Sequence, residues 1–432
     1  MRLSVIGCGY LGAVHATAMA ALGHEVVGID VDAAKIAALA SGIAPFFEPG
    51  LPELLTEALD SGRLRFSTDI ADAATAKVHF IAVGTPQAED GSAQVGFVDA
   101  AIVSLAPHLG AGHLVVGKST VPVGTAARLA ELVEATGARL AWNPEFLREG
   151  FAVNDTLQPD RIVYGVGPGD TAVVEVLDDV YGQAIAAGVP RIVTDFATAE
   201  LVKVSANAFL ATKISFINAM GEIAEVVGAD VTQLADAIGY DTRIGRRFLN
   251  AGVGFGGGCL PKDIRGFVAR AEELGVGRAV GFLREVDDIN LRRRERVVQL
   301  AQESFDGDLT GRRITVLGLS FKPDSDDVRD SPALVIADRL RSLGAEVVAT
   351  DPHAIDPARR VAPELVYAAS PTEALTGSEL VILLTEWREF RALDPEVTGR
   401  LVARRAVIDG RNVLDPHDWR SAGWDYTALG RG

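Results

Sequence analysis

The sequence predicts an α/β protein with two doubly wound Rossmann-like domains, joined by a central helical domain that contains a long helix. Three observations predict this fold. A strand, a glycine-rich turn and a helix open the chain, in the order that begins a dinucleotide-binding domain. A helical pattern then runs from about Ala197 to Val227 without a proline, and a second series of strands begins after Gly311. We expect domain bounds of 1–195, 196–305 and 306–432.

Composition argues against several classes of partner. The chain has 432 residues, 48% of them hydrophobic, and a formal net charge of -17 at pH 7. A field of this sign repels nucleic acid and anionic membrane surfaces, so we expect neither as a partner. The two cysteines, Cys8 and Cys259, are too few for a disulfide framework or a metal cluster. Without a membrane-spanning run or a basic leader, the chain is expected to be cytoplasmic and to have no metal site.

The first motif is a dinucleotide-binding turn. A short apolar run is followed by Gly7, Gly9 and Gly12 with the spacing G-x-G-x-x-G, and then by an alanine-rich helical stretch. Gly7 makes the tight turn, Gly9 admits a pyrophosphate to the helix N terminus, and Gly12 lets helix and strand pack. Asp30 ends the next strand, where a carboxylate accepts hydrogen bonds from a ribose 2′-hydroxyl and repels a 2′-phosphate. These residues predict NAD as the cofactor.

Polar residues follow three further strand-like runs, at 78–83, 113–117 and 139–142. In an open parallel sheet the ligand lies beyond the carboxyl ends of the strands, so the residues after these runs should converge on one crevice. The candidates for the cofactor side are Thr85, Thr120, Glu145 and Glu149. Each threonine could instead be a helix N-cap.

The long helix carries three polar residues on one face. Glu200, Lys203 and Asn207 are spaced i, i+3 and i+7, within about 60° of each other around the helix axis. Apolar and small neighbours indicate that the helix is buried on most sides, so these polar groups need partners. The helix is long enough to bridge two domains or to pack against a second copy. We expect the second arrangement, a homodimer.

A glycine-rich segment at 253–263 contains a candidate nucleophile. Four glycines precede Cys259, and Lys262 and Asp263 follow it. Glycines let the backbone approach a ligand closely, and a nearby cation favours the thiolate, although a buried inert cysteine in a turn is the alternative. Cys8, inside the first turn, is expected to be structural. The cationic segment 243–250 could attract a phosphorylated substrate or could be a solvated turn.

Two further regions, a second helical pattern and a second series of strands, follow in the chain. A second helical pattern near 278–304 carries the run 292–296, which we expect to be a solvated helix surface. The second half repeats parallel strands after Gly311 without a glycine triplet, with Ser331 and Pro332 starting a helix. Its strand-end loops contain Phe321, Lys322, Asp324, Asp327, Arg329 and Arg411. The cations in these loops suit phosphate capture, unless they are ordinary surface charge.

Together these motifs resemble the UDP-glucose 6-dehydrogenase family of nucleotide-sugar dehydrogenases, over essentially the whole chain. The resemblance rests on the Gly7 to Gly12 turn, the segments 84–86, 119–125, 143–150, 159–163, 253–263 and 318–324, and Glu200, Lys203 and Asn207. Gly258 departs from the family pattern, where Ser or a similar residue is common, and Leu260 stands where an aromatic is frequent. Neither change removes a catalytic group.

The resemblance implies a four-electron oxidation of the primary alcohol of UDP-glucose to a carboxylate with two NAD. Cys259 would capture the aldehyde as a thiohemiacetal, and a thioester would then be hydrolysed. By the same resemblance, Lys203 and Asn207 stabilise an oxyanion, Asp263 and Lys203 hold a water, and Glu145 serves in hydrolysis. Covalent capture keeps the aldehyde from escaping between the two oxidations.

The expected site residues form three groups. The catalytic group is Thr120, Glu145, Lys203, Asn207, Cys259 and Asp263. The cofactor group is Gly7, Gly9, Tyr10, Leu11, Gly12, Asp30, Lys35, Thr85, Thr120, Glu149, Lys262 and Arg329. The substrate group is Glu145, Phe146, Leu147, Lys203, Asn207, Arg243, Phe248, Leu249, Asn250, Gly256, Phe321, Lys322 and Arg411. Asn250 stands where some relatives have lysine, and the resemblance implies that Arg243 reaches the substrate across the dimer interface.

Three alternatives remain open at this point. The same chemistry could act on UDP-N-acetyl sugars or GDP-mannose. A two-electron 3-hydroxyacid dehydrogenase would share the first two domains, but it needs neither Cys259 nor a second α/β domain. A noncatalytic NAD-linked binding or redox-sensing protein would not need Lys203, Asn207, Cys259 and Asp263 together.

Overall fold

A computed structural model describes residues 1–431 and divides them into two compact units. The first unit contains Met1–Ala206 and Ala269–Gly277. The second unit contains Asn207–Val268 and the chain from Arg278 onward. Each unit is built around one sheet.

The first unit contains a sheet with the strand order β3-β2-β1-β4-β5-β6-β7-β8. Its strands are β1 (Arg2–Ile6), β2 (Glu25–Ile29), β3 (Leu64–Ser67), β4 (Val78–Ile81), β5 (Leu114–Gly117), β6 (Arg139–Trp142), β7 (Ile162–Val166) and β8 (Arg191–Thr194). The order of the first six strands is that of a doubly wound dinucleotide-binding sheet, whose direction of winding reverses between β1 and β4. Neighbouring strands are parallel except β6 and β7, which pair antiparallel.

Helices cover both faces of this sheet. They are α1 (Tyr10–Ala21), α2 (Ala33–Ala40), α3 (Leu51–Asp60), α4 (Gly96–Leu105), α5 (Thr125–Glu134), α6 (Ala152–Leu157), α7 (Thr171–Val180) and α8 (Gly182–Ala186), with 3-10 turns at Ile70–Thr75 and Ala106–His108. Along β1, Leu3 and Val5 pack into one apolar core, whereas Ile6 packs into the core on the other face. Strands buried on both faces explain why these runs are almost entirely apolar in the sequence.

The long helix and its neighbours follow the first sheet. They are α9 (Phe196–Val227), α10 (Val231–Gly239), α11 (Leu260–Glu273) and α12 (Phe282–Glu303), with a 3-10 turn at Gly277–Val280. Helix α9 begins in the first unit and ends in the second. In the second unit, Ala208 and Ala211 of α9 pack with Phe255, and Ile217 packs with Leu249.

The second sheet repeats the winding of the first, with the order β11-β10-β9-β12-β13-β14 and parallel neighbours. Its strands are β9 (Arg313–Leu317), β10 (Glu346–Thr350), β11 (Val366–Tyr367), β12 (Leu380–Leu383), β13 (Ala406–Asp409) and β14 (Asp425–Ala428). Its helices are α13 (Pro332–Ser342), α14 (Ile355–Val361), α15 (Pro371–Leu375), α16 (Arg388–Arg391), α17 (Pro395–Thr398) and α18 (Pro416–Ser421). The Ser331 side chain caps α13 by accepting from Leu334 N at 3.5 Å, as the sequence predicts.

The predicted fold class is therefore confirmed, with two corrections to detail. The first sheet is mixed rather than parallel, because β7 runs opposite to β6. The run 292–296 is not a solvated surface: Arg293 and Arg294 are 1% and 4% exposed. Arg293 pairs with Glu225, and Arg294 pairs with Asp330. Within residues 1–431, no helix is both long and apolar enough to cross a bilayer.

Candidate active site

The glycine turn after β1 has the shape that a pyrophosphate needs. Gly7 has a φ of 91°, and a Cβ placed on Gly12 would lie 1.7 Å from Gly7 O, so neither position accepts another side chain. A Cβ on Gly9 would meet no protein atom within 4 Å, which leaves the N terminus of α1 open. The residues present therefore fit a dinucleotide at this turn.

Asp30 closes the same turn from the end of β2. Its carboxylate accepts from Cys8 N at 2.8 Å and from Lys35 Nζ at 2.9 Å. Burial alone would raise the pKa of Asp30, but hydrogen bonds from Asp32 N, Lys35 and Cys8 N lower it below its usual value. Burial, with Asp30 next, raises the pKa of the Cys8 thiol to about 12. Asp30 is thus a stable anion beside a cation, and the geometry is consistent with a structural role for Cys8.

The side chain of Thr85 links the loops that carry the two candidate threonines. Thr85 Oγ1 donates to Thr120 O at 2.8 Å, linking the segments that follow β4 and β5. The N-cap alternative is wrong for both, since Val95 and Gly124 occupy the N-cap positions of the helices that follow. Glu200 of α9 accepts from Gly124 N and Ala126 N at 2.7 Å, and so it caps α5.

A buried ion pair links the loop after β6 to α9. Lys203 Nζ lies 2.7 Å from Glu145 Oε1, and the two side chains are 7% and 11% exposed. Leu147 N donates to Glu145 Oε2 at 2.8 Å, which fixes the second carboxylate oxygen. The Phe146 ring is covered by Arg161, whose Cζ is 3.8 Å from the ring centroid. The structure therefore brings the predicted residues Glu145, Phe146 and Lys203 together.

In the second unit, the cysteine loop leads directly into α11. Cys259 is exposed and immediately precedes the helix, a position at which helix N-termini stabilise a thiolate. Asp263, 4% exposed, accepts from Asn207 Nδ2 at 2.6 Å and from Lys262 Nζ at 2.7 Å. Asn207, Lys262 and Asp263 are therefore held in one network one helical turn beyond the cysteine.

The glycines of this loop make room for protein groups. A Cβ on Gly254 would lie 2.1 Å from Asn290 Oδ1, and one on Gly256 would lie 2.3 Å from Asp330 O. Asn290 accepts from Phe255 N at 2.7 Å and donates to Phe255 O at 3.0 Å. The loop is thus fixed by α12 and by the segment before α13, whereas the sequence pointed only to close approach of a ligand.

Arg411 organises the predicted nucleotide-sugar residues. Its guanidinium donates to the main-chain oxygens of Leu384, Gly254 and Phe321, at 2.7, 3.0 and 3.1 Å. The loop after β9 also places Lys322 over the Phe321 ring, 5.4 Å from the centroid. Arg411 therefore positions the cysteine loop, and its contact with substrate stays a prediction.

Arg329 and Arg243 are exposed, whereas Leu249, which follows Arg243, is buried. The Arg329 guanidinium pairs with Asp327 at 2.6 Å, and a Cβ on Gly258 would lie 2.3 Å from Arg329 Cζ. The Arg243 side chain is 87% exposed and pairs with Asp241. Three residues of the segment after Arg243 show different environments: Phe248 has a φ of 66°, Leu249 is buried, and Asn250 accepts from Arg246 at 2.8 Å.

Three family models cover most of the chain. Residues 1–185 match the NAD binding domain of the UDP-glucose/GDP-mannose dehydrogenase family, residues 197–292 match its central domain, and residues 315–416 match its UDP binding domain. The chain belongs to this family. The dehydrogenase is therefore an oxidoreductase whose cofactor is NAD, as the sequence predicts.

Individual relatives resemble this dehydrogenase over its full length. It is 40% identical to the UDP-glucose 6-dehydrogenase of Rhizobium meliloti, with 100% of each chain covered. It is 41% identical to UDP-glucose 6-dehydrogenase YwqF of Bacillus subtilis, covering 100% of this chain and 98% of the relative. A UDP-glucose dehydrogenase structure from Pyrobaculum islandicum superimposes with a TM-score of 0.91 at 41% identity, covering 100% and 98% of the two chains.

Sequence reasoning missed two buried charges in the first unit of the dehydrogenase. Glu48, 2% exposed, accepts from Gly150 N and Ala152 N, each at 2.6 Å, and from the Tyr10 hydroxyl. It thereby ties the cofactor turn to the loop that carries Glu145. Lys118, at the end of β5, is 6% exposed. Only its position after a predicted strand could have singled it out.

Proposed function

We propose that the protein is a UDP-glucose 6-dehydrogenase that oxidises the sugar's primary alcohol to a carboxylate and consumes two NAD. The observation that carries this proposal is the exposed Cys259 at the N terminus of α11, one turn before the buried Asp263. The full-length relatives at about 40% identity support UDP-glucose as the substrate. A UDP-D-ManNAc dehydrogenase structure is more distant, at 27% identity.

The cysteine divides the reaction into two oxidations. NAD, when bound, supplies the acceptor for the hydride removed from C6 in each. After the first oxidation, the Cys259 thiolate attacks the aldehyde carbon, a C–S bond forms and the oxygen takes up a proton. Loss of the second hydride and of that proton leaves a thioester. Water then forms a C–O bond as the C–S bond breaks, which yields the carboxylate and regenerates the thiolate.

The surrounding residues stabilise charge and move protons. Lys203 and Asn207 lie one turn apart on the same face of α9, and we assign them to the oxyanion of the thiohemiacetal and of the hydrolytic step. Asp263, with Lys203, holds a water that receives the alcohol proton. Glu145 takes the proton from the hydrolytic water, because its carboxylate is fixed by Lys203 and Leu147 N. Thr120 belongs to the same catalytic group.

The ligand contacts follow the two Rossmann-like sheets. NAD is held by the Gly7 to Gly12 turn with Tyr10, Leu11, Asp30, Lys35, Thr85, Glu149, Lys262 and Arg329. The nucleotide sugar is held by Phe146, Leu147, Arg243, Phe248, Leu249, Asn250, Gly256, Phe321, Lys322 and Arg411. The corresponding domain bounds are 1–195, 196–305 and 306–432. The neighbouring family matches, which break near 190 and near 300, support these bounds.

A homodimer is part of the same proposal. Helix α9 exposes Phe209, Phe216 and Ile223, which are 67%, 49% and 55% accessible and recur every seven residues. This spacing aligns them along one side of the helix, where an apolar stripe is normally covered by another helix. A second α9 supplies a matching stripe under two-fold symmetry. We place the enzyme in the cytoplasm, since its two free cysteines suit a reducing compartment.

The test is the yield of NADH per UDP-glucose consumed. We expect two NADH from the native enzyme, and a C259S variant with turnover reduced at least about a hundredfold because a serine hydroxyl is a poor nucleophile at neutral pH. C8S is the matched control, since Cys8 is buried in the first turn, and it should keep the two-NADH yield. One NADH per sugar, or undiminished turnover in C259S, would refute the thioester route. UDP-N-acetylglucosamine and GDP-mannose should give little NADH.

A further inference from the structure

Lys118 is a buried cation that the reaction described above does not use. It follows β5, and its ammonium donates to Asn143 Oδ1 at 2.9 Å and to the Tyr181 hydroxyl at 3.4 Å. Tyr181 also donates to Asn143 Oδ1, at 2.5 Å. Among residues 1–431 no carboxylate forms an ion pair with Lys118. Burying a charge on neutral partners is unfavourable, so a lysine kept at such a position requires a reason.

Charged and aromatic groups face this ammonium from every element around it. Glu145 lies in the loop that Asn143 begins, Lys203 lies on α9, and His15 lies on α1; each interacts electrostatically with Lys118. Tyr181 precedes α8, and its ring centroid is 5.9 Å away, while the Phe80 ring of β4 is 5.8 Å away. Lys203 and Lys118 therefore both act on Glu145, the first through an ion pair of 2.7 Å and the second at longer range.

We propose that Lys118 is a positioning residue for thioester hydrolysis: it fixes the start of the Glu145 loop through Asn143, and its positive charge attracts the Glu145 carboxylate. The proposal rests on the function proposed above. Glu145 must be a carboxylate to take a proton from the hydrolytic water. Lys118 supplies a second positive charge that acts on this carboxylate, in addition to the charge of Lys203.

The titration of Lys118 supports this role. Burial lowers its pKa to about 8, although Glu145 acts to raise it, and Lys203 lowers it further. The attraction between the Lys118 ammonium and the Glu145 carboxylate exists only while Lys118 is protonated. The hydrolytic step should therefore weaken as pH rises through about 8, where Lys118 loses its charge.

The experiment separates hydrolysis from the two oxidations. In K118M we expect a rapid first release of two NADH per active site, followed by steady turnover at about a tenth of the native rate or below. The thioester on Cys259 should accumulate to a level that mass spectrometry of acid-quenched enzyme detects. K118R retains the charge and should restore turnover to within a few-fold. It should also keep hydrolysing above pH 8, because an arginine stays protonated there.

Y181F is the matched control for packing. It removes the hydroxyl group beside Lys118 but leaves the charge, so thioester should not accumulate. A merely structural lysine would make K118M and Y181F alike, with both oxidations slowed and no accumulation, and that result would overturn the proposal. If K118M does not fold, thioester accumulation in K118Q and hydrolysis by K118R above pH 8 test the proposal instead. If the native enzyme yields two NADH per UDP-glucose but the thioester does not accumulate in K118M, only the role of Lys118 is refuted. If the native enzyme yields one NADH per UDP-glucose, the proposed function is refuted as well.

Discussion

Lys203 Nζ and Glu145 Oε1 lie 2.7 Å apart, with the lysine on α9 and the glutamate in the loop after β6. Both side chains are nearly buried, at 7% and 11% exposure, so water stabilises neither charge well and each depends on the other. Leu147 N holds the second carboxylate oxygen of Glu145. The pair therefore holds a carboxylate in a fixed position beside a fixed cation, which suits the hydrolytic role proposed above for Glu145.

Replacing Glu145 by glutamine should block the last step of the reaction. E145Q keeps the shape of the side chain but loses the proton acceptor, so steady turnover should fall by about 10²–10⁴ while the first two NADH per site still appear. Stopped-flow absorbance of NADH measures both phases. E131Q, on the exposed face of α5, is the control and should behave as the native enzyme. A first phase of one NADH would contradict the assignment of Glu145 to hydrolysis.

Glu48 should connect cofactor binding to the stability of the catalytic loop. E48Q leaves a main-chain NH of Gly150 or Ala152 facing an amide instead of a carboxylate oxygen, which should cost about 1–3 kcal/mol of unfolding free energy. The KM for NAD should rise, because Tyr10 of the cofactor turn then bonds to a neutral amide instead of a carboxylate. Urea denaturation and NAD titration measure the two effects. E53Q, an exposed glutamate of α3, should change neither, and an unchanged KM in E48Q would separate Glu48 from the cofactor.

The residues that the sequence predicts depend on local patterns, whereas those that it misses depend on contacts between distant parts of the chain. The bounds of α9 and the role of Gly12 follow from patterns within a few residues, namely apolar periodicity and a fixed glycine spacing. Glu48 bonds to atoms 102 and 104 residues away, and no local pattern records such a contact. Arg293 belongs to a run of charges that resembles a solvated surface, yet its partner Glu225 lies on another helix. Tertiary contacts determine whether such residues are buried, and a single sequence does not show those contacts.

In the candidate site, too, the sequence predicts individual residues, whereas the structure shows which of them are in contact. The family motifs predicted Glu145 and Lys203 individually, and the structure joins them in one ion pair. They also predicted Asn207 and Asp263, which share a hydrogen bond of 2.6 Å. The glycine density before Cys259 predicts close approach of a ligand, but the space near Gly254 is occupied by Asn290. A glycine therefore indicates close approach without identifying what approaches.

A buried histidine in the first sheet should make stability depend on pH. Ser4 Oγ lies 2.8 Å from His79 Nδ1, and His79 Nε2 lies 3.1 Å from His113 Nδ1. Burial, and then the neighbouring His113, lower the pKa of His79 to about 3, from 6.5 for a solvated histidine. Between these values the unfolded chain binds more protons than the folded protein, so stability present at neutral pH is lost as the pH falls.

This loss approaches about 1.4 kcal/mol per pH unit for one histidine. H79N removes the titrating group, so its unfolding free energy should decline less steeply than that of the native protein between pH 6.5 and pH 4. Urea denaturation at several pH values measures the slope. H417N, at an exposed position, should keep the native slope. Parallel slopes for H79N and the native protein would show that other groups govern acid unfolding.

The exposed stripe of α9 should be the contact between two copies. Phe216 is 49% accessible between Phe209 and Ile223, and an aromatic at the centre of a covered apolar stripe contributes strongly to association. F216E places a charge there, opposite its own symmetry mate if the contact is two-fold, so the dimer should dissociate at micromolar concentration. Sedimentation velocity measures the mass. F97E changes a comparably exposed phenylalanine, 59% accessible on α4, and should leave the mass unchanged.

If F216E sediments as the native protein does, another surface forms the oligomer and α9 is solvated. If F216E is monomeric and also loses affinity for UDP-glucose, that result supports a contribution of Arg243 to the substrate site of the second copy, since Arg243 itself is not changed.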